Sequence, residues 1–261
     1  MQHFDFNGKV ILITGGSQGI GKYIKDMFIE AGGLVINFDK TPPEDSNILQ
    51  FFKVDITIKK EIEESINKVP YQYKHIDILI NNAGIAEMSP FHMISDNSFA
   101  KQTDVNFRGT FLMCKTLIPS FIEQGHGIIV NISSVNGINP EGNDAVYAAT
   151  KAAIISLTKS IAIEYSPIIR AACVAPGSVD TEAQKQSIME IYGNDPTNIT
   201  KMYKKRAEKY PMKRIASPKE IASVCLFLCS EDSSFINGTT IVVDGGIMSK
   251  NQASLFKDVK Y

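Results

Sequence analysis

The sequence has no apolar run long enough to cross a membrane, because its longest runs, residues 10–14 and 76–80, are only as long as strands. It has no excess of charge of either sign, since 27 lysines and arginines stand against 28 aspartates and glutamates and the net charge is −1. It has no basic stripe that would follow a nucleic acid or an anionic lipid surface. It has no cationic segment followed by an apolar one near its start, so we predict no secretory signal. We expect a cytoplasmic protein that binds neither nucleic acid nor membrane.

Cysteine is also scarce, with only Cys114, Cys173, Cys225 and Cys229 in the chain. All four lie in apolar stretches. Cys225 and Cys229 are four residues apart in a helical pattern, a spacing that does not match paired zinc ligands. We interpret the four as small buried core residues and predict no metal site.

The sequence does have enough apolar residues for a core, at 44% of the chain, and it has no low-complexity tract. Short β-rich runs alternate with amphipathic stretches. The predicted strands are 9–14, 34–38, 50–54, 75–80, 127–132, 170–174 and 240–243, and the predicted helices are 19–31, 61–69, 98–124, 147–165 and 218–229. This alternation predicts an α/β fold: one domain over residues 1–261 with a doubly wound, Rossmann-like parallel sheet and helices on both faces.

Two segments interrupt the alternation. Residues 178–212 are polar and long for a connection, which is typical of a lid or binding loop, and we predict a substrate lid there. Residues 247–261 extend past the last predicted strand as a C-terminal tail, either frayed or docked on a neighbouring subunit.

A glycine loop joins the first predicted strand to the first predicted helix. Gly15, Gly19 and Gly21 leave its backbone bare, so that N–H groups at the helix N-terminus could approach a pyrophosphate. Their spacing differs from the plain G-x-G-x-x-G pattern, and glycines also serve ordinary turns. The position directly after strand one favours phosphate binding.

Asp39 ends the second predicted strand, eighteen residues after Gly21. A carboxylate there would accept hydrogen bonds from both adenosine ribose hydroxyls and would repel a 2′-phosphate. Gln18 occupies the loop position where a cation would help to bind that phosphate. Lys40 argues against NAD preference, because its ammonium could offset part of the repulsion between Asp39 and a 2′-phosphate. Asp39 and Gln18 together favour NAD over NADP. The alternative interpretation of Asp39 is an ordinary solvated carboxylate at the end of a strand.

Tyr147 and Lys151 are four residues apart in a predicted helix, so a phenol and an ammonium lie on one helix face. A phenol has a pKa of about 10, and a nearby ammonium lowers it toward neutral pH, where the group can act as an acid and a base. Such pairs are common by chance on solvated helices. Ser134 lies thirteen residues before Tyr147, just past a predicted strand, and could hold a substrate oxygen. Ser133 is a rival for this role, but the spacing favours Ser134.

Six ordered motifs make the sequence resemble the short-chain dehydrogenase/reductase family. They are residues 14–21, Asp55, residues 81–84, Asn106, the set of Ser134, Tyr147 and Lys151, and residues 176–181. The match runs over residues 9–246, almost the whole chain. The resemblance implies an oxidoreductase that moves a hydride between a nicotinamide cofactor and a hydroxyl or carbonyl carbon of a small-molecule substrate.

The resemblance assigns four residues to catalysis. Tyr147 would exchange the proton with the substrate, and Ser134 would orient the substrate oxygen. Lys151 would hold the nicotinamide ribose and lower the pKa of Tyr147. Asn106 would kink its helix and bind a water that links Lys151 to solvent.

The resemblance also assigns residues to cofactor binding. Asp55 would contact the adenine amino group, residues 82–84 would line the ribose, and Val179 and Thr181 would hold the carboxamide. The predicted set is Gly15, Ser17, Gln18, Gly19, Ile20, Gly21, Asp39, Lys40, Asp55, Ile56, Asn82, Ala83, Gly84, Tyr147, Lys151, Pro176, Gly177, Val179 and Thr181.

Family membership does not name a substrate. The residues expected near the pocket are polar and suit several hydroxyls better than a steroid or an acyl chain: Glu87, Asn136, Asn139, Glu141 and Gln184. Residues 160–167 and 210–215, with the tail, resemble the archaeal-type aldohexose and glucose 1-dehydrogenases of the family. We therefore expect oxidation of an aldose, a sugar, at its anomeric carbon to a lactone.

Two alternatives remain open. Reduction of a 3-oxoacyl thioester would favour NADPH and a basic patch for a carrier protein. A non-catalytic dinucleotide sensor would have no need of the four catalytic residues. Members of the family commonly form tetramers through two long helices, and the resemblance implies a homotetramer here.

Overall fold

A computed structural model describes residues 4–44, 49–193 and 195–249. It contains a seven-stranded sheet in which every neighbouring pair is parallel, in the order β3-β2-β1-β4-β5-β6-β7. The strands are β1 (Val10–Thr14), β2 (Leu34–Asp39), β3 (Gln50–Lys53), β4 (Ile78–Asn81), β5 (Gly127–Ile132), β6 (Ile169–Pro176) and β7 (Thr240–Val243). The predicted fold class, an α/β domain with a doubly wound Rossmann-like sheet, is confirmed.

Helices follow the strands and cover both faces of the sheet. They are α1 (Gly19–Glu30), α2 (Lys59–Lys68), α3 (Asp96–Gln102), α4 (Thr110–Gln124), α5 (Ala145–Tyr165), α6 (Glu182–Tyr192), α7 (Pro196–Lys209) and α8 (Pro218–Cys229). One core lies under α1 and α8 and includes Phe28 and Ile221. The other lies under α2, α4 and α5 and includes Phe121 and Ile161. Because the central strands are buried on both faces, they are apolar without alternation, as in β1, where all five residues are buried.

The chain order reverses between β1 and β4, which lie side by side although β2 and β3 separate them in sequence. At such a reversal the loops at the carboxyl ends of the strands diverge and leave a crevice. The loops after β1, β4, β5 and β6 therefore meet at one edge of the sheet.

An asparagine pair ties the middle of the sheet together just below this edge. Asn81 and Asn131 are register partners on β4 and β5, and the Asn81 amide donates to Asn131 Oδ1 at 2.8 Å. The Asn131 amide donates in turn to Thr158 Oγ1 on α5 at 2.8 Å. All three side chains are buried, so these bonds connect two strands and a helix inside the core.

The structure corrects two sequence predictions of secondary structure. The predicted single helix 98–124 is divided, because a π-helical stretch, Thr103–Gly109, separates α3 from α4. The predicted loop 178–212 carries two helices, α6 and α7, with Gly193 at the end of the first and Pro196 at the start of the second. Of the tail 247–261, residues 250–261 lie outside the described part of the chain.

Among the described residues, α5 is the one helix that is long and apolar enough to cross a membrane by length and composition. It packs against β6 and β5, and Ile154, Ile161 and Ala162 are buried in that contact. The core helix of a water-exposed fold has the same composition, so the pattern is weak support for a membrane span.

Candidate active site

Tyr147 lies at the carboxyl-end edge of the sheet, in the first turn of α5, and the Ser134 side chain is near enough to the phenol to lower its pKa. Ser134 lies two residues after the end of β5 and is 8% exposed. Its Oγ also accepts a hydrogen bond from the Asn136 backbone N–H at 3.1 Å, which fixes the hydroxyl in place. The neighbouring Ser133 hydroxyl donates instead to the Lys151 carbonyl oxygen at 2.8 Å. Of the two serines, Ser134 is the one that influences the pKa of the phenol.

Lys151 lies one helical turn beyond Tyr147, and its Nζ is 5.6 Å from the centre of the Tyr147 ring. The side chain is 4% exposed, and Nζ donates to the Ile132 carbonyl oxygen at 2.9 Å. Burial lowers the pKa of Lys151 to about 8, because a charged ammonium is less stable away from water. Lys151 is thus held at the end of β5 with a pKa near the neutral range.

The pKa of Tyr147 lies above its ordinary value. Burial raises it most, the hydrogen bond with Ser134 lowers it, and the negative charge of Asp144 raises it again. The sequence prediction that Lys151 lowers this pKa is not seen in this geometry. The physical reason is that the ammonium points to the Ile132 carbonyl and burial dominates around the phenol.

Asn106 lies in the π-helical stretch and is fully buried. Its amide Nδ2 donates to the Ile85 carbonyl at 2.9 Å and to Thr150 Oγ1 at 3.1 Å, while its Oδ1 accepts from the Ile85 N–H at 2.8 Å. A Cβ placed on Gly84 would lie 3.3 Å from both Asn106 Oδ1 and Lys151 Nζ. Asn106 therefore joins the loop after β4 to α5 beside the lysine, and its assigned role in a water relay stays a prediction.

Asp144 is a site residue that the sequence analysis missed. It directly precedes α5 and is 1% exposed, yet its side chain makes no cap bond to the helix. One carboxylate oxygen accepts a hydrogen bond from the Asn136 amide, and the other, Oδ1, has no partner among the described residues. An aspartate before a helix normally signals an N-cap, so only the three-residue distance to Tyr147 could have drawn attention to it.

The glycine loop after β1 fits a pyrophosphate. Gly15 has φ +68°, and a Cβ on Gly21 would lie 2.0 Å from the Gly15 carbonyl oxygen, so neither position accepts a larger side chain without movement. The first turn of α1 has no acidic residue, and Gln18 makes no side-chain cap bond to it. The positive end of the helix is therefore left for an external anion. Across the crevice, Thr181 lies within 3.7 Å of a Cβ placed on Gly19.

Side chains at the end of β2 hold the glycine loop that follows β1 through hydrogen bonds. Asn37 Oδ1 accepts from the Gly16 N–H at 3.0 Å, and Asp39 Oδ2 accepts from the Ser17 N–H at 3.0 Å. Asp39 Oδ1 accepts from the Thr41 N–H at 3.1 Å. The carboxylate is partly exposed at the rim of the crevice. Asn37, which the sequence analysis did not single out, is fully buried and positions Gly16.

Lys40 does not pair with Asp39. Its Nζ is 2.8 Å from Asp55 Oδ2, and Asp55 Oδ1 accepts from the backbone and hydroxyl of Thr57. Burial raises the pKa of Asp55, but the bonds from Lys40 and Thr57 outweigh it and hold the pKa below its ordinary value. Ile56 is buried, and its side chain lies 2.7 Å from where a Gly109 Cβ would be, so its side chain serves the core.

The loops after β4 and β6 complete the crevice. The Asn82 amide donates to the Gly15 carbonyl at 2.8 Å, and the Ala83 N–H donates to Thr14 Oγ1 at 3.1 Å. After β6, which ends at Pro176, the Gly177 N–H donates to the Val243 carbonyl at 3.0 Å. Val179 forms an isolated β-bridge with Ala216. The Thr181 hydroxyl accepts a hydrogen bond from the Gln184 backbone N–H at 3.2 Å.

The predicted substrate residues are not all placed together. Glu87 forms an ion pair with Lys101 at 2.5 Å, which lowers the pKa of Glu87. When the nitrogen and oxygen of the Gln184 side-chain amide are exchanged, which matches the donors and acceptors around them, the nitrogen donates to the Val179 carbonyl at 2.6 Å. Asn136 is bonded to Asp144 next to the phenol.

Glu141 and Asn139 are both exposed. Glu141 lines a cavity of about 450 Å³ together with Asn136 and the α5 residues Ala145, Ala148, Ala149 and Ala152. Ala145 and Ala149 each lie two positions from Tyr147 and point to the other side of the helix. Of the predicted substrate residues, Asn136 is the one bonded to Asp144 close to Tyr147, and the roles of the others stay predictions.

Comparisons with known proteins place this geometry in a family. A family model described as enoyl-(acyl carrier protein) reductase matches residues 15–248. An uncharacterized oxidoreductase of Schizosaccharomyces pombe is 36% identical over 97% of this chain and 95% of that protein. A 3-oxoacyl-[acyl-carrier-protein] reductase of Thermotoga maritima is 33% identical over 92% of this chain and 98% of that protein.

A solved structure is similar over nearly the whole chain. The aldohexose dehydrogenase of Thermoplasma acidophilum in ligand-free form superposes with a TM-score of 0.91 and is 35% identical, covering 95% of this chain and 97% of that one. The seven-stranded parallel sheet, the glycine loop and the grouping of Ser134, Tyr147 and Lys151 agree with that similarity. The chain belongs to the short-chain dehydrogenase/reductase family and is an oxidoreductase that uses a nicotinamide cofactor.

Proposed function

We propose that this protein is an NAD-dependent dehydrogenase that oxidises an aldose at its anomeric carbon to the lactone. The observation that carries the acid/base part is the grouping of Ser134 and Lys151 beside Tyr147, with Lys151 Nζ 5.6 Å from the centre of the phenol ring. A bound nicotinamide supplies the hydride acceptor. The similarity to an aldohexose dehydrogenase over 95% of the chain supports the sugar assignment.

The chain's own residues handle the proton. The Ser134 hydroxyl orients the anomeric hydroxyl of the sugar, and the Tyr147 phenolate takes its proton as the C1–H bond is broken and the C1=O bond forms. Lys151, whose Nζ lies 5.6 Å from the centre of the phenol ring, would stabilise the phenolate by its positive charge. In the reverse direction the phenol returns the proton to the carbonyl oxygen.

Asp39 and Lys40 support NAD over NADP. The Asp39 carboxylate lies at the rim of the crevice next to the glycine loop and would repel a 2′-phosphate. Lys40 is the residue whose charge could offset the repulsion of a 2′-phosphate, but its ammonium is paired with Asp55 at 2.8 Å. A 2′-phosphate at this position would therefore meet the Asp39 carboxylate, while the Lys40 ammonium is already paired with Asp55.

The test is a measurement of NAD and NADP reduction with a panel of aldoses at neutral to mildly alkaline pH. We expect turnover of at least one aldohexose with NAD preferred. Activity confined to acyl thioester ketones with NADPH would overturn the proposal. It would favour the second candidate, a 3-oxoacyl thioester reductase, which the 33% identity to the Thermotoga maritima enzyme supports.

We further propose that the protein assembles as a homotetramer through α4 and α5. Both helices keep large apolar side chains exposed, since Phe111 and Ile122 are 40% and 44% exposed and Ile163 is 80% exposed. Apolar residues arranged in this way on two neighbouring helices are typical of subunit interfaces. Light scattering on the purified chain is expected to give four chains per particle, and Ile163→Glu should reduce the assembly; a monomeric wild type would contradict the proposal.

A further inference from the structure

A second group of ionisable side chains lies at the edge of the sheet opposite to the active site. His75 and Asp77 precede β4, and His126 precedes β5. Because parallel strands all begin at the same edge, this group lies at the far end from Ser134, which follows β5. One ligand atom from each of the three residues lies within 4.8 Å of the other two. We propose that His75, Asp77 and His126 form a binding site for Zn²⁺ or a similar divalent transition-metal ion.

The donor set suits such an ion. Two neutral imidazoles and one carboxylate are ligands that Zn²⁺ takes in proteins, with a fourth position left for water. Ligand atoms around a tetrahedral zinc, each at about 2.0–2.2 Å from the ion, lie about 3.3–3.5 Å apart. His126 Nε2 is 2.9 Å from Asp77 Oδ1, and the His75 and His126 rings are 5.1 Å apart between centres. Small side-chain rotations therefore bring the three groups to coordination distance, with the ion in place of the proton shared by His126 and Asp77.

The backbone around the three residues is fixed before any ion binds. The Gln124 side-chain amide donates to the Ile76 carbonyl at 2.7 Å and to the His126 carbonyl at 2.8 Å, which joins the two chain segments. The Ile128 N–H donates to the Asp77 carbonyl at 3.0 Å. The chain thus does not have to reorganise to bring the ligands together, and this keeps the loss of conformational entropy on binding small.

The carboxylate is oriented by the backbone. Asp77 Oδ2 accepts a hydrogen bond from the Val10 N–H at 2.8 Å, which leaves Oδ1 facing His126. Such a second bond to a ligating carboxylate is typical of metal sites.

Lys9 limits the affinity of the site. Its Nζ lies 3.4 Å from Asp77 Oδ1 and would repel a cation there. The Lys9 side chain is 48% exposed and can turn into solvent, whereas Asp77 cannot move away. Both histidines reach the surface, so water can supply the remaining ligands. We therefore expect micromolar binding that becomes tighter when Lys9 loses its charge.

No metal site is predicted from the sequence, because the cysteines do not have the spacing of paired zinc ligands. His126 lies 49 residues after Asp77, a separation that matches no ligand spacing. Only the parallel pairing of β4 and β5 brings the two residues together.

The test is a Zn²⁺ titration of the untagged full chain by calorimetry, with His75→Ala, His126→Ala and Lys9→Met. We expect one ion per chain in the wild type, binding at least about tenfold weaker in either histidine variant, and tighter binding in Lys9→Met. His92→Ala, in the exposed turn Phe91–Met93, is the matched control and should bind as the wild type does. No binding in excess Zn²⁺, or wild-type binding by both histidine variants, would overturn the proposal.

A second measurement separates lost ligands from lost folding. Saturating Zn²⁺ should raise the melting temperature of the wild type and of His92→Ala, because an ion that binds only the folded chain stabilises it. The melting temperature of His126→Ala without Zn²⁺ should stay near the wild-type value, since that side chain is 46% exposed, and should not respond to the ion. A response of His126→Ala equal to that of the wild type would place the ion elsewhere. Neither measurement uses turnover, so the outcome is independent of the proposed dehydrogenase activity.

Discussion

Asp144 lies three residues before Tyr147 and raises the pKa of the Tyr147 phenol through its negative charge. The carboxylate is buried and reaches Asn136 with one oxygen only. The proposed acid/base group therefore has a neighbouring negative charge that opposes the phenolate. Two consequences can be measured, one for the pH dependence of oxidation and one for the role of Tyr147 itself.

Asp144→Asn should shift the pH profile of oxidation to lower pH. Oxidation requires the Tyr147 phenolate, and removal of a negative charge next to it favours that form, so the pKa of Tyr147 falls. The acidic limb of kcat/KM is expected to move to lower pH. Asp96→Asn, at the exposed start of α3, is the control and should leave the profile in place. A profile that moves to higher pH would contradict the assigned electrostatics.

Tyr147→Phe should abolish the acid/base step and leave the cofactor site intact. We expect kcat to fall by about 10²–10⁴-fold, because the proton loses its acceptor. The dissociation constant of NAD, measured by fluorescence titration, should change by less than about threefold, well under 1.4 kcal/mol. Tyr71→Phe, at a tyrosine that is 92% exposed, is the matched control. Unchanged turnover in Tyr147→Phe would refute the role given to the phenol.

Asp39→Ala should weaken the preference for NAD. The variant loses the acceptor proposed for the ribose hydroxyls and the charge proposed to exclude a 2′-phosphate. Hydrogen bonds to a charged group contribute about 1.5–3 kcal/mol, so the ratio of kcat/KM for NAD to that for NADP should fall at least about tenfold. Glu44→Gln, an exposed carboxylate on the same connection, should leave the ratio unchanged. A constant ratio in Asp39→Ala would mean that another group selects the cofactor.

Gly137→Ala should destabilise the protein where Gly142→Ala does not. A Cβ on Gly137 would lie 2.7 Å from the Lys151 carbonyl carbon and 2.8 Å from the Ala152 nitrogen, so the turn after Ser134 would have to move away from α5. Such overpacking costs about 1–3 kcal/mol, which a denaturant or thermal melt resolves. A Cβ on Gly142 meets nothing within 4 Å. Equal melting temperatures for the two variants would show that the turn can yield without cost.

The fold could be predicted because its local signals agree with its tertiary contacts. Helix α8 was predicted at its observed bounds, since Ser217 and Glu220 form a capping box and Pro218 begins the helix. The apolar pattern runs through the break between α3 and α4 and does not predict it, whereas the kink that the family resemblance implied at Asn106 falls within the π-helical stretch. The Asn106 side chain bonds to Ile85, 21 residues away in sequence, and that contact accompanies the π-helical stretch.

The candidate site was predictable in its glycine loop and in the set of Ser134, Tyr147 and Lys151, where residue type and spacing are both restrictive. It was not predictable at Asp144 and Asn37. Each is an ordinary polar residue in sequence, and its importance lies in burial and in a partner on another segment, Asn136 for the first and Gly16 for the second. Glu87 shows the converse, since its position suggested a pocket residue but an ion pair with Lys101 engages its carboxylate.

The buried bond between Asn81 and Asn131 also bears on how the active site can move. The two residues are register partners at the ends of β4 and β5, one position before Asn82 and two before Ser133. A slip of β4 against β5 by one residue would turn one amide to the opposite face of the sheet and break the bond between Asn81 and Asn131 in the core, so a joint shift of the two strands is favoured. The loops that carry the cofactor contacts and the catalytic serine therefore start from a common rigid base. If the lid predicted at residues 178–212 opens and closes around a substrate, amide hydrogen exchange should be fast in α6 and α7 and slow at residues 79–81 and 129–131.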